Sequence, residues 1–167
     1  DVHAHCIVPE AAQLINHRLE APGLLWSNIS DRLAQMDQTG VDVQALSINP
    51  YWYRAERDAV AELIRVQNEA LAEFCASDQD RFTAFATAAL QYPDLAAEQV
   101  DQAVKTLGFR GIGVGGSVAG EELANPKFHP FWAKCEELGV LVFMHPLGTR
   151  ELEPSGRLAG NGLLTNT

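Results

Sequence analysis

Three histidines hold the residue types and spacings best suited to chemistry. His3 and His5 stand two apart in Asp1-Val2-His3-Ala4-His5. On a β-strand, side chains alternate between faces, so both imidazoles project from one side and can converge on one ion. His145 closes the apolar run Leu141–Met144, which places it at the C-terminal end of a strand, where parallel α/β folds build their sites. Taken alone, the pattern leaves open a chance repeat and an ordinary strand-end histidine bonded to backbone.

Strand-like segments recur at Asp1–His5, Val41–Ile48, Arg81–Leu90, Arg110–Val114 and Leu141–Met144, with helical patterns between them. The clearest helix covers Glu56–Cys75, where Val60, Leu63, Ile64, Leu71 and Phe74 recur near a 3.6-residue period. Ser30 is the expected cap of a helix over Asp31–Gln38 that ends at Gly40. Pro93 opens a further helix closing near Leu107, and Phe131–Leu138 forms another that ends at Gly139. Alternating strands and helices imply an α/β fold with a parallel sheet, and Val140–Phe143 is apolar on both faces, as buried parallel strands are.

Two architectures compete: a complete five-stranded doubly wound sheet, or the first five units of a (β/α)8 TIM barrel, which typically needs about 250 residues. Strands one and five of a barrel share parity, so the three histidines could meet from opposite walls at one mouth. The doubly wound sheet offers no comparable convergence. Asp1 enters a strand at once, and Gly156–Thr167 carries no closing strand or helix. The expectation is therefore that residues 1–167 are the N-terminal portion of one barrel domain, completed by further polypeptide.

Composition narrows the function. The 167 residues are 47% hydrophobic, with 12 basic and 22 acidic residues for a formal charge of −10. That balance, without a basic cluster, argues against nucleic acid as a partner. No apolar run approaches the roughly 18 residues needed to span a bilayer. Cys6, Cys75 and Cys135 form no CxxC pair, and their odd number fits a reducing cytoplasm.

With Asp1-Val2 before His3-Ala4-His5 and Pro146 after His145, the sequence resembles the amidohydrolase superfamily, specifically its aminocarboxymuconate-semialdehyde decarboxylase branch. Arg32–Ser47, Gly108–Gly111 and Asn125–Trp132 fit the same resemblance in order. It implies a barrel and a metal held by His3, His5 and His145, with an aspartate after strand eight. A strand-six histidine would handle protons. Neither of the last two lies in this chain, so its catalytic residues are unknown. Gly111–Ser117 offers no bridging ligand, so the resemblance implies one divalent ion, zinc or in its place manganese, and no organic cofactor. The implied reaction is non-oxidative decarboxylation of a small unsaturated or aromatic acid. A metal-dependent hydrolase or hydratase on the same barrel is the nearest alternative, and a non-catalytic metal-binding protein is another.

Arg32 occupies the position where related decarboxylases carry an arginine for the substrate carboxylate, a pairing that suits a guanidinium. The alternative is a helix-surface ion pair. Tyr51 and Trp52, in the aromatic run after strand two, could wall a flat substrate; packing against a loop or a second copy in a homodimer is the alternative. Gly111, Gly113 and Gly116 satisfy GxGxxG but begin inside a strand, which excludes a dinucleotide loop. Gly115-Gly116-Ser117 would rather keep the strand-four mouth open. His17 and His129 are expected at the surface or in packing, and Cys6 on the face opposite His5.

Overall fold

The computed structural model describes residues 1–14, 29–48 and 51–145. His17, Asn49, Pro50, Pro146 and the segment 156–167 lie outside them. Five parallel strands form one sheet: β1 (Ala4–Cys6), β2 (Gln44–Ile48), β3 (Phe82–Thr87), β4 (Gly111–Gly115) and β7 (Leu141–His145). Between them run α1 (Pro9–Leu14), α2 (Ile29–Thr39), α3 (Arg57–Ser77), α4 (Pro93–Lys105) and α5 (His129–Leu138). A two-stranded hairpin, β5 (Ser117–Val118) and β6 (Glu121–Glu122), sits between β4 and α5.

The sheet order is β1-β2-β3-β4-β7. Each parallel strand therefore lies beside its predecessor, and the order never reverses. A doubly wound sheet must reverse at its switch point, so the winding is that of a barrel wall. Curvature agrees. Laid flat, five strands at a spacing of about 4.8 Å would set the outer two about 19 Å apart. Yet Nε2 of His5, on β1, lies 3.4 Å from Nε2 of His145, on β7. The sheet is curled so that its two outer strands face one another.

Register divides the sheet into two faces. Ala4 pairs with Leu46, Leu46 with Ala84, and Ile112 with Val142, all on the helix side. There Leu46, Ala86, Ile112 and Val114 pack beneath Val60, Leu63, Ile64 and Leu71 of α3 and Ala96 and Val100 of α4, none of them exposed. His5 pairs with Ser47, Phe85 with Gly111, and Gly115 with His145 on the concave face. The period of α3 explains its burial: apolar residues at three- and four-residue spacing form one stripe. Asn68, buried on this helix beside a second polar residue, Gln67, donates to the Thr87 carbonyl and accepts the Thr87 N–H, both at 2.9 Å, which ties helix to strand.

Several local expectations shift. Ser30 is inside the first turn of α2, which begins at Ile29, and does not cap it from outside. The short helix α1 and the hairpin were not foreseen, because each lacks a full turn or two of periodic pattern. The hairpin turns at Ala119 and Gly120, both with positive φ, as two-residue hairpin turns require. It begins where the glycines of β4 end, so Ser117 opens a hairpin and not a bare gap.

Candidate metal centre

His3 directly precedes β1, His5 lies within it, and His145 ends β7. Asp1 fixes the first of these locally: its carboxylate accepts the His3 N–H at 3.0 Å, and its carbonyl accepts the Ala45 N–H at 2.8 Å. The strand pairing is thus continued below Ala4, and the two histidines keep the parity that aims both into the concave face. Nε2 of His3 and Nε2 of His5 are 3.0 Å apart, and the ring centroids of the three histidines lie 4.6–5.1 Å from one another. Among the described residues these three form the one group of potential ligands close enough to share an ion.

The donor set fits a divalent metal. Nitrogens bound at about 2.0–2.1 Å around a tetrahedral ion stand about 3.3 Å apart. The two separations here, 3.0 and 3.4 Å, bracket that value. A neutral imidazole presents a lone pair on one nitrogen only. Three Nε2 atoms focused on one point therefore call for a cation. The surroundings favour the neutral ligand form: burial, and then repulsion from His145 and His3, hold the His5 pKa below its ordinary value.

An aromatic layer lies beneath the histidines. Phe85 and Phe143 stack at 4.7 Å with 10° between their planes, and Phe143 also meets the His3 ring edge at 5.7 Å. Glycine makes room for it. A Cβ on Gly111 would stand 2.5 Å from Phe85 Cδ1, and one on Gly113 would stand 3.3 Å from the Tyr51 hydroxyl. The glycine spacing read as a discounted dinucleotide motif thus serves close approach of two rings to β4.

The aromatic run after β2 folds across the end of β4. The Tyr53 hydroxyl accepts the Gly115 N–H at 3.0 Å, and Tyr51 stacks on Tyr53 at 5.7 Å while its ring faces His145 edge-on at 6.3 Å. Tyr51 is 2% exposed, and among the described residues its hydroxyl and that of Ser47 have no hydrogen-bond partner. Leaving such a group buried and unpaired costs about 1–3 kcal/mol. Burial pushes both tyrosine pKa values well up, so each phenol stays protonated.

Trp52 makes the packing contacts that were the alternative to walling a substrate. Its φ of 59° is in the left-handed region, its indole N–H donates to Gln67 Oε1 at 3.1 Å, and its carbonyl accepts from Gln91 Nε2 at 3.0 Å. It anchors the loop to the core and lets Tyr51 and Tyr53 stack. Arg32 donates from Nη1 to Gln44 Oε1 at 2.9 Å and from Nη2 to the His5 carbonyl at 3.0 Å. Among the described residues it makes no ion pair; it braces β1 through the His5 carbonyl, and the sequence hid this because both acceptors are uncharged.

Cys6 points to the helix side, where its thiol donates to the Ser47 carbonyl at 3.7 Å and burial pushes its pKa up to about 12. That thiol is no thiolate ligand. His129 is exposed at the start of α5.

With this geometry in hand, comparison with known proteins decides the family. The amidohydrolase family profile matches residues 1–164. The chain belongs to the amidohydrolase family. A gamma-resorcylate decarboxylase from Rhizobium sp. (strain MTP-10005) is 35% identical over 158 residues, covering 85% of this chain and 48% of that protein. This amidohydrolase chain thus spans about half the length of the curated relatives it matches. A dihydroxybenzoic acid decarboxylase from Polaromonas sp. JS666, solved with bound manganese and the inhibitor 2-nitroresorcinol, superposes with a TM-score of 0.73 at 26% identity, over 93% of this chain and 52% of that one. The 5-carboxyvanillate decarboxylase of Sphingomonas paucimobilis superposes with a TM-score of 0.82 over 99% of this chain and 56% of its own, at 21% identity. That likeness is one of fold, and it makes the curled sheet part of an amidohydrolase barrel. Among the described residues, no helix is long and apolar enough to cross a membrane.

Proposed function

We propose that this amidohydrolase chain is the metal-holding part of a mononuclear, metal-dependent decarboxylase acting on a small aromatic carboxylic acid. The observation that carries the reading is the convergence of His3, His5 and His145 from the two outer strands of the curled sheet. The decarboxylase names of its relatives direct that site toward carbon–carbon cleavage. Zinc suits three imidazoles, and the manganese in the Polaromonas structure makes that ion the alternative. Residues 1–167 would then belong to one barrel domain, completed by polypeptide that supplies the remaining ligand and a proton-handling group. A cytoplasmic setting fits three cysteines without a disulfide.

His3, His5 and His145 would hold a divalent ion, which would supply Lewis acidity toward the oxygens of a carboxylate and its ring. The chain's own residues do the rest of what can be derived. Burial and the two neighbouring rings favour the neutral form of His5, the form in which an imidazole presents a lone pair to a metal. Phe85 and Phe143 close the barrel below the ligands and offer a flat apolar surface, while Arg32 holds the His5 backbone in place. Tyr51 faces the same space from the β2 side.

The test is carbon dioxide release by the intact, metal-loaded protein given gamma-resorcylate and related hydroxybenzoates. Stoichiometric carbon dioxide with loss of the acid is expected. Turnover of esters or amides with proton release and no carbon dioxide would instead establish a hydrolase, and bound metal without any turnover a binding protein.

A further inference from the structure

On the concave face, two buried hydroxyls, Ser47 Oγ and Tyr51 Oη, have no hydrogen-bond partner among the described residues. Ser47 is in register with His5 on that face. Tyr51 lies over Gly113, in the strand beside His145, and its ring meets the His145 ring edge. The hydroxyl is not adrift on a flexible loop. Tyr51 stacks on Tyr53, whose own hydroxyl is taken by the Gly115 N–H, and the left-handed Trp52 between them is pinned by Gln67 and Gln91. The donor is thus aimed before any ligand arrives. A buried donor held without an acceptor, next to a cluster of metal ligands, is complete only when something in the site accepts its proton.

We propose that the Tyr51 hydroxyl is the specificity-determining donor of this site, giving a hydrogen bond to an oxygen of the bound ring acid. This rests on the reading of the site as one for small aromatic acids. Two sources could supply the oxygen, the carboxylate or a ring hydroxyl beside it. A phenol O–H is a hydrogen-bond donor, and its bond is charge-assisted when the acceptor is anionic. Gly113 belongs to the same device, because a Cβ there would stand 3.3 Å from the hydroxyl and push it back by a few tenths of an ångström.

The experiment is calorimetric binding of benzoate, salicylate and resorcinol to the intact, metal-loaded protein and to its Tyr51→Phe variant, with metal content measured alongside. Tyr51→Phe keeps the ring stack and removes one oxygen, so folding and metal content should be unchanged. Loss of about tenfold to a hundredfold in affinity is expected, the worth of one hydrogen bond to a charged acceptor. A loss shared by salicylate and resorcinol but not benzoate assigns the ring hydroxyl. A loss that includes benzoate assigns the carboxylate. Equal affinities of both proteins for all three ligands, or no binding of any of them to the parent protein, would overturn the proposal. Absence of carbon dioxide release together with a preserved Tyr51-dependent affinity would sink the decarboxylase reading and leave this one standing.

Discussion

Gly111→Ala tests whether the aromatic layer beneath the histidines is packed as described, because two opposing effects decide its sign. Replacing glycine by alanine restricts the unfolded chain and by itself adds about 0.4–1 kcal/mol of stability where the native backbone tolerates it. Here the new Cβ would stand 2.5 Å from Phe85 Cδ1 and 2.8 Å from Cε1. To reach ordinary contact the ring must retreat by about 1 Å. It has little room, since Phe85 is 7% exposed and stacked on Phe143 at 4.7 Å. Overpacking of this kind costs roughly 1–3 kcal/mol, so the net is a loss of about 1–2 kcal/mol. At about 2–4 °C per kcal/mol for a domain of this size, the melting temperature of the intact protein should fall by roughly 2–8 °C in calorimetry. Gly116→Ala is the control: a Cβ there meets nothing within 4 Å, so stability should hold or rise slightly. Phe85→Leu should relieve part of the Gly111→Ala penalty in a double-mutant cycle. An unchanged or raised melting temperature for Gly111→Ala would refute the packing argument.

Asn68→Leu strands both the N–H and the carbonyl of Thr87, so a loss of about 2–4 kcal/mol is expected in denaturant titration; a midpoint equal to that of the parent would show that the bridge is idle. Arg32→Ala should lower melting temperature and metal affinity together by releasing the His5 carbonyl, whereas a raised KM with both unchanged would return Arg32 to the role of a substrate-carboxylate ligand. The pKa of His5 is depressed on folding, so the unfolded chain binds more protons on the acid side of 6.5 and the metal-free protein should lose stability as pH falls through that value. Melting temperatures taken in chelator between about pH 5 and 7.5 would be flat if the three rings were not gathered as described.

Much of this was legible in the sequence because side-chain parity is a local property. His3 and His5 share a face wherever they lie on an extended chain, and His145 follows a strand that only a barrel brings opposite β1. The choice between barrel and doubly wound sheet was not local: it required the strand order and the curl, which bring Nε2 of His5 within 3.4 Å of His145. Arg32 lies on a helix as expected, but its contacts were not legible, since a guanidinium bonding to a main-chain carbonyl leaves no mark in the sequence. Trp52 shows the packing that was one of its two readings, but nothing local foretells a left-handed tryptophan; Gln67 and Gln91, far along the chain, hold it so. Tyr53 belongs to the same aromatic run, but its contact is not local either. Its partner is the Gly115 N–H, 62 residues away. The glycines of β4 carried a signal that composition alone could not resolve, because their purpose is the bulk of Phe85 and Tyr51 above them.

The central claim is that His3, His5 and His145 share one divalent ion, and the metal content of the intact protein carrying His145→Ala tests it most directly. His145 is the ligand to replace because it comes from the far strand, so its loss breaks the site without disturbing the pairing of β1 with β2. The account predicts about one equivalent of zinc or manganese in the parent protein and loss of most of it in the variant, with circular dichroism unchanged. A folded His145→Ala protein that still carries a full equivalent would contradict it.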